Sequence, residues 1–344
     1  MPESLDIVTY LELAEHFPVA DVRTPAEYRQ GHIPGAANIP LFSNEERALV
    51  GTIYKQKSPR QAFDEGLRIT GPKMVEYVKQ ARELARDNTL MLYCWRGGMR
   101  SGSMGWLFET AGMRVYLLQG GYKAFRRHVR ESLARPARLI VVGGMTGSGK
   151  TEILHHLREM GEQVIDLEGL AHHKGSAFGA LGQPDQPSTE HFENLLFDQW
   201  KKLDPQRPIW VEDESRSVGK VFIPEELFRQ MSRAPLLDIH VGKEYRIDRL
   251  VRDYALFDPA ELSAAIRRIE KRLGGLNTRI CIEAIEAGDF RKATDILLEY
   301  YDKSYRHTMS RRQSDRIIPV DLKGNDPRKH AQVLIEMVRS RRII

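Results

Sequence analysis

Residues 137–160 read ARLIVVGGMTGSGKTEILHHLREM, and this stretch decides the fold of the second half of the chain. An apolar run, LIVV, leads into a glycine-rich turn, and a segment with helical spacing follows. The turn matches G-x-x-x-x-G-K-[ST] in full, from Gly144 to Thr151. A strand, this turn and a helix in that order form a phosphate-binding loop, or P-loop. The stretch therefore predicts an α/β domain that binds a phosphate chain.

Each part of the P-loop has a physical role. The glycines let backbone N–H groups point at phosphate oxygens, and the helix N-terminus adds partial positive charge. Lys150 is a mobile charge for the outer phosphates, and the Thr151 hydroxyl can hold Mg²⁺. The motif specifies a phosphate chain, not a nucleotide, and nothing in the sequence marks an adenine pocket. The predicted diphosphate-binding residues are Gly144, Gly147, Ser148, Gly149, Lys150 and Thr151.

A Mg²⁺ ion at a P-loop needs a partner acid at the end of a neighbouring strand. Residues 208–216, PIWVEDESR, offer Glu212, Asp213 and Glu214 after an apolar run. Because side chains alternate along a strand, Glu212 and Glu214 should share one face and Asp213 should lie on the other. The sequence leaves open which acid faces the metal.

Residues 164–176, VIDLEGLAHHKGS, offer a second set of acids. We expect this strand beside the P-loop strand, where Asp166 or Glu168 could bind substrate or metal. The adjacent His172 and His173 are also conceivable ligands, but such a pair in a loop is usually polar surface, and no metal-ligand spacing is present.

The stretch TLMLYCWRGGMR, residues 89–100, places Cys94 directly after a predicted strand and before a glycine-containing loop and a helix. Such a loop aims successive N–H groups inward, and we expect nearby arginines to favour thiolate over thiol. A thiolate in an anion cradle can attack electrophilic sulfur, selenium or phosphorus. Cys281 instead lies in an apolar helical pattern and is predicted to be structural. The predicted anion-binding residues beside Cys94 are Arg96, Gly97, Gly98 and Arg100.

The length of 344 residues suits two domains, and we place their boundary at Pro136, giving 1–135 and 136–344. The first part alternates short strands and helices, which predicts a parallel sheet with helices on both faces. Its predicted strands are 18–23, 89–95 and 114–121, and its clearest helix is 73–87. Further strands are predicted at 163–168, 207–214 and 234–241, and helices at 259–273, 276–301 and 326–342.

Composition narrows the class of protein. Hydrophobic residues make up 41% and charged residues 29%, which is ordinary for a globular chain. No apolar run is long enough to cross a bilayer, so no membrane partner is expected. The first 20 residues contain acids but no Lys or Arg, unlike a signal peptide. Two distant cysteines form no disulfide framework, so we expect a cytoplasmic protein.

Basic residues cluster in two segments although the net charge is only +5. Residues 96–135 hold eight Lys or Arg against two acids, and residues 301–344 hold eleven against five. A solvated surface would explain either cluster alone, but two of them favour an RNA partner. The first includes a predicted basic helix at 123–135, KAFRRHVRESLAR.

The first third of the chain resembles the rhodanese family, the sulfurtransferases that hold a persulfide on cysteine. The resemblance rests on VADVRTPAEYRQGHIPGAANIP, residues 19–40, on the loop that begins at Cys94, and on LLQGGYKAF, residues 117–125. It implies that Cys94 is the nucleophile. Asp21 and Arg23 in the first segment are predicted to serve structure, with Asp21 ending a strand and Arg23 pairing with nearby acids.

One departure from that family concerns the length of the loop. Cys94 and Arg100 read C-x-x-x-x-x-R, one residue longer than in many single-domain rhodaneses and similar to tyrosine-phosphatase-type enzymes. A wider loop fits a tetrahedral, phosphate-like group. The spacing therefore favours a donor that contains phosphorus.

A rhodanese-like domain followed directly by a P-loop domain resembles the bacterial tRNA 2-selenouridine synthases over essentially the whole chain. This resemblance implies an N-terminal rhodanese-like parallel-sheet domain and a C-terminal P-loop NTPase-like α/β domain with a helical C-terminal part. It also implies S-geranylation of wobble 2-thiouridine in tRNA by geranyl diphosphate, bound at the P-loop. Selenium from selenophosphate then replaces the S-geranyl group by way of a selenylsulfide on Cys94. No tightly bound cofactor is expected, apart from Mg²⁺ that could accompany the diphosphate.

Three other functions remain open from the residues alone. The chain could be an ATP-dependent tRNA sulfurtransferase, or thiolase, with a rhodanese sulfur carrier, and ATP turnover would reveal it. It could be a phosphatase that uses Cys94 and Arg100, although this leaves the P-loop unexplained. A regulator that senses ligands at two anion sites would not need the nucleophile.

Overall fold

The computed structural model describes residues 2–341 and 343. The chain divides into two compact units. The first holds the chain up to Ser132 together with Glu193–Asp198, and the second holds Leu133–Phe192 and the chain from Gln199 onward.

The first unit contains a five-stranded sheet whose adjacent strands all run parallel. Parallel neighbours need crossover connections, which the helices between the strands provide. The strands are β1 (Glu3–Leu5), β2 (Val19–Asp21), β3 (Ala37–Asn38), β4 (Thr89–Tyr93) and β5 (Arg114–Leu118). Their order is β1-β5-β4-β2-β3. The predicted parallel sheet is confirmed.

Seven α-helices belong to the described part of this half of the chain, and a short 3₁₀ turn precedes the fifth. The helix predicted at 73–87 ends early, at Leu84, because Ala85 leaves the helical conformation with a ψ of 141°, and Asp87 and Asn88 then take left-handed backbone angles. The predicted basic helix spans 121–133. The helices are α1 (Ile7–Leu13), α2 (Pro25–Gln30), α3 (Asn44–Gln56), α4 (Pro59–Thr70), α5 (Met74–Leu84), α6 (Met99–Thr110) and α7 (Gly121–Leu133).

Strand β4 runs through the core of the first unit, and every one of its residues is buried. Leu90, Leu92 and Cys94 are two positions apart and belong to one hydrophobic cluster. Met104 and Phe108 of α6 belong to the same cluster. Packing of β4 against α6 therefore fixes the position of the cysteine at the carboxyl end of the strand.

The second unit contains another five-stranded parallel sheet. Two short antiparallel strands, β9 (Ser217–Val218) and β10 (Val221–Phe222), form a separate hairpin. The sheet order is β12-β11-β6-β8-β7. Its strands are β6 (Leu139–Gly144), β7 (Gln163–Ile165), β8 (Ile209–Glu212), β11 (Leu236–His240) and β12 (Ile317–Asp321).

This order corrects one prediction about the acids. Strand β7 pairs with β8 and not with the P-loop strand β6. The strand also ends at Ile165, three residues earlier than predicted, because the Asp166 carboxylate accepts the Gly169 amide and begins a helix. Glu168 is therefore a helical residue and not the end of a strand.

The helices of the second half follow the predicted pattern with two interruptions. The segment 259–273 breaks at Ile269, and the segment 276–301 breaks before Phe290, where Gly288 takes a φ of 77° and Asp289 caps the next helix. The helices are α8 (Lys150–Glu159), α9 (Leu167–Ala171), α10 (Thr189–Trp200), α11 (Glu225–Arg233), α12 (Lys243–Tyr254), α13 (Pro259–Arg268), α14 (Glu270–Leu273), α15 (Gly275–Glu286), α16 (Phe290–Met309) and α17 (Pro327–Arg341). The last predicted residue of α17, Arg342, lies outside the described residues. Within the described part of the chain, no helix is both long and apolar enough to span a bilayer.

Cys281 lies in a hydrophobic cluster formed by α13, α15 and α16. Its side chain is fully buried, and burial raises the pKa of its thiol to about 11. The prediction of a structural cysteine is confirmed.

Candidate active site

The Cys94 thiol lies at the carboxyl end of β4, where the chain turns toward α6. Its residue is 3% exposed, and the Ser101 hydroxyl in the first turn of α6 donates to Sγ at 3.1 Å. Burial raises the pKa of this thiol, but hydrogen bonds from the Ser101 hydroxyl and from the amides of Ser101, Arg96 and Gly98 outweigh it. The pKa of Cys94 therefore lies below its ordinary value, and the thiolate is favoured.

The source of this shift differs from the prediction. Hydrogen bonds from a hydroxyl and from backbone amides lower the pKa of Cys94, whereas the sequence suggested charge from Arg96 and Arg100. The Arg100 guanidinium donates instead to both carboxylate oxygens of Glu27, at 2.7 and 3.2 Å. Arg96 is exposed at the surface of the loop. A phosphate that binds Arg100 must therefore compete with Glu27, a residue that the sequence analysis did not identify.

The glycines of this loop allow a close approach to the start of α7. The amides of Tyr122 and Lys123 donate to the carbonyl oxygens of Cys94 and Trp95, at 2.8 and 3.0 Å. Gly121 has a φ of 60°, and a Cβ there would lie 2.3 Å from the Cys94 carbonyl oxygen and 2.4 Å from the Gly97 nitrogen. Only glycine fits at Gly121, so the segment GG at the start of α7 shapes the cysteine loop.

The predicted structural pair below this loop is confirmed. Asp21 ends β2, and Arg23 donates to both of its carboxylate oxygens, with 0% and 1% of these side chains exposed. The Arg23 guanidinium also lies 3.8 Å from the centre of the Tyr122 ring. The pair is therefore buried inside the first unit.

In the second unit, the P-loop connects β6 to α8. Gly144, Gly147 and Gly149 all have positive φ angles, of 154°, 80° and 84°. Lys150 begins α8, and its Nζ donates to the Gly144 carbonyl oxygen at 2.9 Å, so its side chain folds back over the loop. The Ser148 hydroxyl is buried and makes no hydrogen bond within the described residues, which leaves it ready for an anion.

Two arginines of α12 donate hydrogen bonds to backbone carbonyl oxygens of the P-loop, and the sequence analysis missed both. Arg246 donates to the Thr146 carbonyl oxygen at 2.8 Å and Arg249 to the Gly147 carbonyl oxygen at 2.8 Å. Each is 4% exposed. Their carboxylate partners are Asp302 for Arg246 and Glu152 for Arg249. They lie about a hundred positions along the chain from the loop, and no local pattern marks them.

The acids near the P-loop separate as strand alternation predicted. Asp213 binds Arg312, whose Nη2 lies 2.6 Å from Oδ1. Glu212 lies on the other side and accepts the Glu168 amide at 2.7 Å. Glu214 also lies near Glu168. A Cβ on Gly175 would lie 2.8 Å from a carboxylate oxygen of Glu214 and 2.9 Å from one of Glu168.

Glu168 is the acid that contacts the P-loop. Its Oε2 accepts the Thr151 hydroxyl at 3.0 Å. Burial and the charge of Glu168 raise the pKa of Glu214 to about 8, and burial also raises the pKa of Glu168. Glu214 therefore retains its proton near neutral pH.

The other proposed ligands have different roles. Asp166 caps α9 and pairs with His155 at 3.2 Å. His172 ends α9 and contacts the Asp185 carbonyl oxygen at 2.9 Å. Burial lowers the pKa of His173. Among the residues that the structure describes, no three His, Cys, Asp or Glu side chains form a metal cluster.

Comparisons with known proteins assign the two units. Residues 9–128 match the model of the rhodanese-like domain, and residues 137–326 match that of the tRNA 2-selenouridine synthase AAA domain. The tRNA 2-selenouridine synthase of Nitrosomonas europaea is 37% identical, over 77% of this chain and 70% of the relative. That of Hahella chejuensis is 35% identical over 86% of each chain, and that of Marinobacter nauticus is 32% identical over 98% of each.

The chain belongs to the tRNA 2-selenouridine synthase family. It is therefore an enzyme of that kind, and the resemblance seen in the sequence is confirmed. Within this synthase, the rhodanese-like match contains the Cys94 loop, and the AAA match contains the P-loop together with Glu168 and Glu214.

Proposed function

We propose that this synthase replaces the sulfur of wobble 2-thiouridine in tRNA by selenium, in two steps with separate sites. One observation supports it above the rest: a single chain contains a thiol of lowered pKa in an amide-lined loop and a complete P-loop. The names of its relatives supply the product, 2-selenouridine in tRNA.

The first step makes the sulfur replaceable. The thiocarbonyl sulfur attacks C1 of geranyl diphosphate, so that a C–S bond forms and the C–O bond breaks. The electron pair of that bond leaves on diphosphate, and the uridine loses its N3 proton to solvent. The P-loop amides, the Ser148 hydroxyl and Lys150 bind the diphosphate. The oxygens of Thr151 and Glu168 are hard ligands that fit Mg²⁺, which would neutralise charge on the leaving group.

The second step exchanges S-geranyl for selenium. The Cys94 thiolate attacks the selenium of selenophosphate, the Se–P bond breaks, and phosphorus leaves with the electron pair as phosphite. The terminal selenide of the resulting selenylsulfide attacks C2 of the uridine and expels geranyl thiolate. A small thiol then attacks the Cys94 sulfur, which releases 2-selenouridine and leaves a mixed disulfide for a second thiol to reduce. Arg96 and the amides of Gly97 and Gly98 bind the donor phosphate, and Arg100 joins them when it exchanges Glu27 for this anion.

The basic segments hold the RNA in this proposal. In the first segment, Lys123, Arg127 and Arg130 are exposed and lie at helical spacing along one face of α7. Arg126 is different, because it is buried and hydrogen-bonded to Asn194 and Glu193. A tRNA substrate also fits the expected cytoplasmic location.

Two variants test the division of labour. Cys94→Ala should geranylate a thiolated tRNA but form no selenouridine, while Lys150→Ala should lose geranyl transfer. Mass spectrometry of the digested tRNA reports both products. Pre-geranylated tRNA should restore selenation by Lys150→Ala, since its cysteine loop is intact. Cys281→Ala is the matched control for loss of a thiol.

Three outcomes contradict the proposal. If folded Cys94→Ala loses both steps, the two sites do not have separate roles. If Lys150→Ala transfers geranyl normally, the diphosphate does not bind at the P-loop. Phosphate in place of phosphite in the ³¹P spectrum excludes the selenylsulfide. ATP turnover stimulated by tRNA would favour an ATP-dependent thiolase instead.

A further inference from the structure

An apolar cavity lies next to the P-loop in the second unit. It encloses about 580 Å³ of space free of protein atoms, including open solvent at its mouth. Helices α12, α13, α15 and α16 provide most of the wall, and among the described residues no Asp, Glu, Lys, Arg or His side chain lines it. The side chains that argue for an apolar ligand are Phe178, Leu250, Leu262, Phe290 and Leu297.

Two contacts connect this cavity to the phosphate site. Thr146, a residue of the P-loop, lines the cavity directly. Leu250 lines it as well and packs beneath the loop, since a Cβ on Gly147 would lie 3.1 Å from its Cδ1. A ligand with its phosphates in the P-loop therefore has an apolar space beside its head group.

The side chains that line the cavity determine which kind of ligand group fits beside the phosphates. Burial raises the pKa of Tyr254 to about 12 and also raises that of Tyr301, so both phenols stay neutral. A nucleoside would place ring nitrogens and ribose hydroxyls against a mainly hydrocarbon wall, which costs free energy for each unpaired group. A hydrocarbon chain needs no such partners and gains by leaving water.

We propose that this cavity binds the hydrocarbon chain of the allylic diphosphate whose head group lies in the P-loop. The assignment rests on the proposed function and adds to it the site that sets the length of the prenyl chain. Ala255, at the C-terminal end of α12, lines the cavity with its small side chain. A larger residue there would occupy part of the space that the chain needs.

The test measures binding of dimethylallyl, geranyl and farnesyl diphosphates and of inorganic pyrophosphate by calorimetry. In Ala255→Phe, geranyl diphosphate should bind about tenfold more weakly or worse, because an isoprene unit loses its apolar contact. Pyrophosphate should bind as in the wild type, which also reports a folded P-loop. Ala287→Phe is the matched control, since Ala287 likewise ends a helix but is exposed.

Leu297→Ala tests the cavity in the opposite direction by enlarging it. We expect the affinity for farnesyl diphosphate to rise relative to geranyl diphosphate in this variant. If both variants keep the wild-type order of chain lengths, the cavity is not the prenyl site, even if Lys150→Ala abolishes diphosphate binding. If the wild type binds an adenine nucleotide and neither pyrophosphate nor geranyl diphosphate, the proposed function itself fails.

Discussion

At the scale of single residues, Ser101 contributes most to the lowering of the pKa of Cys94. Its hydroxyl donates to the sulfur from the first turn of α6, and its amide adds a second hydrogen bond. A lowered pKa means that thiolate is present above that value and is lost as the pH falls through it. Nothing in the residue type alone separates Ser101 from Ser103, because only the position of α6 brings Ser101 to the sulfur.

Replacing Ser101 by Ala should raise the pKa of Cys94, because the thiolate loses the hydrogen bond from the Ser101 hydroxyl. The pH profile of alkylation by iodoacetamide then moves to higher pH, and less thiolate is present at neutral pH. Ser103→Ala is the control, since that hydroxyl donates to the Arg100 carbonyl oxygen. Cys281 does not interfere, being buried with a raised pKa. An unchanged profile in Ser101→Ala would assign the shift to the amides alone.

At the scale of secondary-structure elements, α12 supports the P-loop through buried arginines. Arg249 bonds to the Gly147 carbonyl oxygen, to Glu152 and to Asn325, at 2.8, 2.9 and 2.7 Å. Its guanidinium also fills the space behind Gly149, where a Cβ would lie 2.8 Å from it. The shape of the phosphate loop thus depends on a helix far along the chain.

Replacing Arg249 by Ala should destabilise the protein by about 1–3 kcal/mol and weaken diphosphate binding, because buried acceptors lose their donor. Thermal unfolding and pyrophosphate titration measure the two effects. Arg252→Ala is a close control: it lies one turn further on, is largely exposed and also binds Glu152. Its effect should stay below about 1 kcal/mol. Equal losses in both variants would mean that the shared Glu152, and not the loop contact, matters.

Whether a structural feature could be predicted from the sequence depended on whether the residues that form it lie close together in the chain. The P-loop, the cysteine loop and the strands around them have apolar runs and glycine turns that occur together in the chain. The order of strands in a sheet has no such local pattern, so β7 was predicted beside β6 although β8 lies between them. The Glu27–Arg100 pair and the α12 arginines were missed because they join residues distant in sequence. The helix break before Phe290 did have a local pattern, the Gly288-Asp289 pair. The prediction of one helix over 276–301 followed the helical periodicity and missed it.

At the scale of the whole chain, the arginines of the two basic segments do not all face solvent. Arg312 is paired with Asp213, and Arg126 is buried. The net charge therefore overstates the number of positively charged side chains that RNA can contact. The exposed positions of α7 are the ones from which phosphate contacts are expected.

Replacing Arg127 and Arg130 together by Gln should weaken tRNA binding and flatten its dependence on salt. Each neutralised phosphate contributes roughly 0.7–0.9 to the slope of log K against log salt, so the slope should fall by roughly 1 to 2. Fluorescence anisotropy with labelled tRNA across a salt series measures it. The matched control replaces Arg60 and Lys79 by Gln, two exposed cations of α4 and α5 outside the basic segments. Equal slopes in both double variants would show that tRNA responds to total charge and not to the α7 face, and the RNA contacts would then lie elsewhere in the synthase.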